Sequence, residues 1–309
     1  MASDFSVRLQ YLTPKRALTV FGGVVASARA GWVTQAIIRR FVRRYDVNMS
    51  EAAASRLESF ATFNEFFTRA LREGVRPLAD AAWLCPVDGA ISQFGRIEGD
   101  QVFQAKGHNY SSLALLGGDP ALATQFENGH FATLYLSPRD YHRIHMPCDA
   151  TLVRMIHVPG DLFSVNPATA QGVPGLFARN ERVICQFESA QGPFAMVLVG
   201  ATIVGSIATV WHGVVTPPRS DEPREWRYEP GEVRLARGAE MGRFMLGSTV
   251  VMLFGADAIA FNPQWAPVGS IRVGEAMGGL PGATSIETLD TSSGNTEPDA
   301  ASGSVAGSD

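Results

Sequence analysis

From residue 83 onward the chain is built of short apolar, β-rich runs broken by Gly, Pro and Asp, and this punctuation constrains the fold more than any other feature. The runs fall at 130–136, 151–158, 182–187, 194–204, 207–215 and 248–254. Few helical patterns of ordinary length alternate with them, so a doubly wound parallel sheet is disfavoured. An α+β fold with a mostly antiparallel, β-rich domain is predicted. A chain of 309 residues with 46% hydrophobic side chains can bury a large core, in one big domain or two of ordinary size.

The first 75 residues read differently. On a helical wheel of 31–45, Val33, Ile37, Ile38, Phe41, Val42 and Tyr45 share one arc. Arg39, Arg40, Arg43 and Arg44 gather on the opposite arc, and Trp32 falls outside the apolar one. Such a helix either lies in an anionic membrane interface or packs its apolar side on its own core; the segment alone fits both. Residues 1–47 carry eight basic and two acidic side chains, a charge of +6 in a chain whose formal net charge is −4. The apolar run 17–28 has 12 residues, short of the ~20 that span a bilayer, so no transmembrane helix is expected. A secretory signal is not expected either, because the start lacks a basic n-region and a cleavage site. Thr62 and Glu65 form a capping-box pattern that predicts a short helix through Arg72. Its buried stripe would be Phe63, Phe66, Phe67 and Leu71, with Gly74 and Pro77 as the stop. At the other end, 284–309 hold five acids and neither a basic nor an aromatic residue, which predicts a disordered tail.

Composition and missing motifs exclude several functions. The negative net charge argues against a dedicated nucleic-acid binder. Cys85, Cys148 and Cys185 are odd in number and far apart, so they suggest neither a disulfide framework nor a CxxC metal site and fit a reducing compartment. GxSxG, GxxxxGK[ST], HExxH and GxGxxG are absent. Only Lys15 and Lys106 of the 26 basic residues are lysines, which leaves a pyridoxal enzyme two anchor positions.

The most informative stretch within the β-rich region is SPRDYHRIHMP at 137–147. Ser137, Pro138 and Asp140 read as a helix start and Pro147 as a stop, and the three-residue spacing then places His142 and His145 on one helix face. A strand would send them to opposite faces. Two neighbouring imidazoles suit acid/base work or zinc. Zinc is the weaker reading because a third ligand at usual spacing is lacking, and two structural histidines are the plain alternative. Asp88 in CPVDGA and Gly247-Ser248 in LGST each read equally well as turn chemistry.

Taken in order, these words resemble the phosphatidylserine decarboxylase family in its bacterial, pyruvoyl-dependent proenzyme form. They are YLTPKR at 11–16, AGW at 30–32, TFNEFFTR at 62–69, PVDGAISQFG at 86–95, AKGHNYS at 105–111 and LSPRDYHRIHMPC at 136–148. PGDLFSVNP at 159–167, LFARNERVIC at 176–185, VGATIVGSI at 199–207 and GAEMGRFMLGSTVVMLF at 238–254 continue the series, so the likeness spans about residues 10–280. The resemblance implies that Ser248 attacks the Gly247 carbonyl and that His145, oriented by Asp88, takes its proton. Elimination then releases a β chain ending at Gly247 and leaves Ser248 as a covalent pyruvoyl group heading an α chain. It further implies that the pyruvoyl accepts the electrons left by departing carbon dioxide and that His142 protonates the α-carbon, giving phosphatidylethanolamine without a metal.

A substrate in an anionic membrane turns the N-terminal segment toward a peripheral anchor. The expected organisation is therefore a membrane-associating helical region over 1–75, a catalytic domain over 76–283 and the tail over 284–309, on the cytoplasmic side of the inner membrane. Members of the family are often homodimers. A serine hydrolase using Ser248, His145 and Asp88 on an uncut chain is the rival reading.

Overall fold

The computed structural model describes residues 10, 11, 13–202, 206–245 and 248–282, with Ser248 described by its main chain only. Gly247 and the acidic tail at 284–309 lie outside the described residues. The fold is α+β, and among the described residues every pairing between strands is antiparallel. The main sheet runs in the order Arg224–Arg227, Ala150–Val158, Arg182–Ser189, Gly192–Val199, Ser248–Phe254, His130–Leu136, Gly89–Arg96 and Ser270–Ile271. Arg234–Leu235 also pairs with Ala150–Val158.

The continuous apolar run 248–254 is a strand hydrogen-bonded on both sides, with Val251 opposite Thr133 and Val197. Val250, Met252 and Phe254 enter one core with Trp83, Leu134, Met196 and Leu198. Val251 and Leu253 enter a second core with Phe131, Ala195 and Val197. Successive side chains of a strand point to opposite faces, and both faces here are covered, so no polar alternation is needed. Each large apolar side chain buried in this way contributes roughly 1.5–3 kcal/mol.

Two predicted strands are shorter or broken. The 194–204 run ends as Gly192–Val199. The 207–215 run folds into a hairpin, Ile207–Thr209 and Gly213–Thr216, because Gly213 adopts a φ of 77° that suits a tight turn. This hairpin opens a small second sheet in the order Gly213–Thr216, Ile207–Thr209, Glu240–Phe244 and Arg143–His145.

The helices Lys15–Ser27 and Trp32–Tyr45 bend by 112° at their junction. Among the described residues no single helix is long and apolar enough to cross a membrane. The apolar arc of the second helix is divided between the two roles its sequence allows. Ile38 is fully buried, and the Phe41 ring meets those of Phe63, Phe66 and Phe67 at 5.1, 5.9 and 6.0 Å. Val33, Ile37 and Tyr45 stay at the surface, as do Leu18, Phe21 and Val25 of the first helix.

The cap forms, with the return bond of Glu65 reaching one residue before the N-cap Thr62. Glu65 N donates to Thr62 Oγ1 at 3.0 Å, and Glu65 Oε2 accepts from Ala61 N at 2.8 Å. Its helix, however, is only Phe63–Phe67 and stops short of Arg72. Leu71 bridges to Ala52, and Arg72 N donates to the Glu51 carbonyl at 2.9 Å, so strand-like pairing with an earlier segment outcompetes a further helical turn.

Candidate active site

Two antiparallel pairings converge on the predicted residues. Ser248 starts its strand opposite Leu136 in the main sheet, while Arg143 pairs with Arg243 in the small one. Phe244 N donates to the His142 carbonyl at 3.0 Å. Segment 137–142 leads from the main sheet into the small one, and on the returning stretch the described residues stop at Met245 and resume at Ser248. Phe244 is thus tied to His142 before the expected cleavage site, and the Ser248 main chain pairs with Leu136 after it.

The helix expected at 137–146 is a turn followed by a strand. Ser137 N donates to Asp140 Oδ2 at 2.7 Å and Asp140 N to the Ser137 carbonyl at 3.0 Å, closing a turn around Pro138. The same Ser-Pro-x-Asp signal starts helices. Here Glu240–Phe244 takes up the main chain of Arg143–His145, and tertiary pairing decides the outcome. His142 and His145 accordingly have separate surroundings rather than one helix face.

His142 is fully buried, and its ring lies 4.0 Å from that of Phe67. A carbonyl oxygen only accepts, so Nδ1 carries the hydrogen and donates to the Asp140 carbonyl at 2.8 Å. Nε2 then holds a bare lone pair, buried and without a partner. Burial pushes the imidazole down to about 3, which keeps it neutral. His145 repeats the pattern, with Nδ1 donating to the Gly238 carbonyl at 2.8 Å. Its Nε2 accepts from the Tyr141 hydroxyl at 3.0 Å. Burial also lowers the His145 pKa and pushes the Tyr141 phenol up to about 12, so Tyr141 stays a donor.

Asp88 is no simple turn residue. It is buried, accepting from Arg76 Nε at 3.0 Å, Arg76 Nη2 at 2.5 Å and Val273 N at 2.9 Å. Arg76 Nη2 also reaches Glu51 Oε2 at 2.7 Å, and this hydrogen bond holds Glu51 below the usual carboxylate range. Burial works against the Arg76 charge, but the two carboxylates outweigh it and raise its pKa. Among the described residues no hydrogen bond joins Asp88 to His145. The Asp88 charge acts on that imidazole through space, opposing the effect of burial. Gly89 lets the chain approach the neighbouring strand: a Cβ there would lie 2.3 Å from the Tyr135 carbonyl oxygen.

Asp88, Arg76, Glu51 and Tyr141 border a cleft of about 580 Å³, with Tyr135, Ser137, Asp140 and Arg69 also among its walls, whereas His142 and His145 are not among its lining residues. Sequence reading did not single out Glu51, Arg69, Arg76 or Tyr141. Glu51 and Arg76 are charged residues in ordinary segments, Arg69 ends the TFNEFFTR word without standing out within it, and only the place of Tyr141 beside two histidines offered a signal.

Comparison with known proteins finds a family and several relatives. A family model described as phosphatidylserine decarboxylase matches residues 63–279, and a second, described as PSD, matches residues 5–46. The chain is 69% identical over 280 residues to a phosphatidylserine decarboxylase proenzyme of a Polaromonas species, covering 90% of this chain and 99% of that protein. Proteins of the same description from Methylibium petroleiphilum and Dechloromonas aromatica are 67% and 66% identical, over 91% and 90% of this chain and 99% of each relative. Fold and likeness together define an enzyme of the decarboxylase class. The chain belongs to the phosphatidylserine decarboxylase family.

Proposed function

We propose that this chain decarboxylates phosphatidylserine to phosphatidylethanolamine after cutting itself between Gly247 and Ser248, with a pyruvoyl group made from Ser248. The observation that carries the reading is that Phe244 is hydrogen-bonded to His142 and the Ser248 main chain is paired with Leu136, on either side of the expected cleavage site. That the relatives are named proenzymes supports the processing step. In that step the Ser248 hydroxyl adds to the Gly247 carbonyl, the amide nitrogen leaves as an amine, and an ester joins the halves. Elimination releases the Gly247 carboxylate. Tautomerisation and hydrolysis then expel ammonia and leave the ketone. The base for the hydroxyl proton is His145 Nε2, which Tyr141 caps at rest. The Glu240 and Asp88 carboxylates favour the imidazolium that forms.

The residues present fit the cofactor. No lysine is among the cleft-lining residues: Lys15 stands over the Phe163 ring, and Lys106 sits at the end of the Gln101–Ser111 hairpin with a φ of 48°. A carbonyl built into the main chain needs no such anchor. Such a group supplies the electron-accepting carbonyl for the bond that loses carbon dioxide. The reaction takes up one proton for each carbon dioxide released, and the unpartnered Nε2 of His142 is where that proton enters and from which it reaches the α-carbon.

The same reading sets the enzyme on the cytoplasmic face of the inner membrane as a peripheral protein. An apolar groove of about 530 Å³ between the two N-terminal helices supports it, with Leu18, Phe21, Val25 and Ile37 in its walls and Arg40 and Arg44 beside them. Trp32 is 80% exposed at the elbow, as expected of an interfacial aromatic. Each arginine near an anionic surface adds about 1 kcal/mol.

A denaturing gel with intact mass tests the central claim. The mature protein should comprise chains of 247 and 62 residues, the shorter one blocked at its first residue, and Ser248→Ala should remain one chain of 309 residues without activity. An active protein found uncut, with Ser248 intact, refutes the pyruvoyl reading and restores the serine hydrolase.

A further inference from the structure

Arg69 follows the Phe63–Phe67 helix by two residues, and the Phe67 ring lies against His142. Arg69 lines the cleft yet is only 5% exposed. Its Nη2 donates to the Arg139 carbonyl at 3.1 Å, and the Phe66 ring centre lies 5.5 Å from its Cζ. Nε and Nη1 are closed to solvent and have no hydrogen-bond partner. Of the carboxylates lining the cleft, Asp88 and Glu51 hold Arg76, Asp140 closes the turn with Ser137, and Asp46 is exposed to solvent. Among the described residues no ion pair joins Arg69 to a carboxylate. Burial pulls its pKa below the ordinary arginine value despite the nearby acids. A desolvated guanidinium left in this state is costly until an anion completes it.

We propose that Arg69 is the anion-binding residue of the cleft and holds the phosphodiester of the phospholipid headgroup. The inference rests on the phosphatidylserine decarboxylase reading and adds the residue that grips the substrate. Phosphatidylserine offers two anions. Its carboxylate gives up its charge as carbon dioxide forms, so a guanidinium there stabilises the substrate more than the transition state and slows the step. The phosphodiester keeps its charge throughout and lies three bonds from the reacting α-carbon. Arg69 is near enough to His142 for its charge to act on that imidazole, so one headgroup can meet both. Guanidinium and phosphate oxygens form charge-assisted hydrogen bonds of the stronger kind. The contact requires the side chain to swing a short way into the cleft, a motion opposed by one hydrogen bond and one ring contact.

The test compares the mature parent with Arg69→Gln and Arg69→Lys, using phosphatidylserine in mixed micelles for KM and kcat. Calorimetry gives the Kd of phosphatidylethanol, a lipid with the phosphodiester but neither amine nor carboxylate. Arg69→Gln should raise both KM and that Kd by a common factor of about ten to a hundred, with kcat changed much less. Arg69→Lys should recover part of the loss, and both variants should still cut at Ser248. A raised KM with unchanged phosphatidylethanol binding assigns Arg69 to the carboxylate and overturns the proposal, as does an unchanged KM. If neither variant folds, the parent decides: phosphatidylethanol binding no tighter than the matching diacylglycerol overturns it as well. A parent that releases no carbon dioxide from phosphatidylserine refutes the decarboxylase reading instead, a result visible before any variant is made.

Discussion

At His142 one tautomer fixes what the side chain can do. With Nδ1–H tied to the Asp140 carbonyl, Nε2 must gain a proton before it can give one, whereas the corresponding atom of His145 already receives the Tyr141 hydroxyl. His142→Ala should therefore permit chain cutting and abolish decarboxylation, while His145→Ala and Asp88→Asn should hinder cutting itself. Equal cutting in all three, on a denaturing gel, refutes this division of labour. The same burial makes stability pH-dependent. Above about pH 6.5 neither the folded nor the unfolded chain protonates this imidazole. Below it, the unfolded chain takes up a proton that the folded protein refuses until about 3, so stability falls with falling pH, approaching 1.4 kcal/mol per unit. His145 shifts in the same direction. In the uncut Ser248→Ala background, His142→Gln should lose the His142 share of this slope. Urea unfolding at about pH 6.5 and 5 reads the difference, and parallel losses in both proteins would falsify it.

Among the elements, those whose signals are local were legible and those whose partners are distant were not. Strands at 130–136 and 248–254 match their apolar runs to the residue. The 137–147 stretch misled because Ser, Pro and Asp serve a turn as well as a helix start, and only the Glu240–Phe244 strand decides between them. The Phe63–Phe67 helix is short enough that its cap matters: five residues cannot sustain a helix without it. Thr62→Ala removes the acceptor for Glu65 N and should destabilise the uncut protein by about 1 kcal/mol. An unchanged urea midpoint would show that the phenylalanine cluster alone holds the segment.

For the whole molecule, the N-terminal helix pair is the part whose role depends on surroundings outside the chain. It packs Ile38 and Phe41 inward while leaving Phe21, Val24 and Trp32 mostly exposed. Among the described residues Arg39 has an ion-pair partner, Glu58 at 3.8 Å, whereas Arg40 and Arg43 have none. Charge reversal of Arg39, Arg40, Arg43 and Arg44 to Glu should release the protein from anionic vesicles in flotation, and Phe21→Glu should weaken binding at high salt as well, because the two substitutions remove different attractions. A charge-reversed protein that floats as the parent does contradicts the electrostatic part.

The sequence by itself determined the fold class, the buried central strand, the capping box and the family, because each is written in neighbouring residues: an apolar run, a Thr-to-Glu spacing, a series of unusual words. It also indicated Asp88, His142, His145 and Ser248 as the residues to watch. Only the tertiary structure decided what surrounds them. Asp88 meets Arg76, which Glu51 shares, rather than an imidazole, His142 is a neutral imidazole packed against Phe67, and Nε and Nη1 of Arg69 are left without an acceptor. Hydrogen bonds, desolvation and charge act through space at a few ångströms, between residues that the chain order keeps far apart.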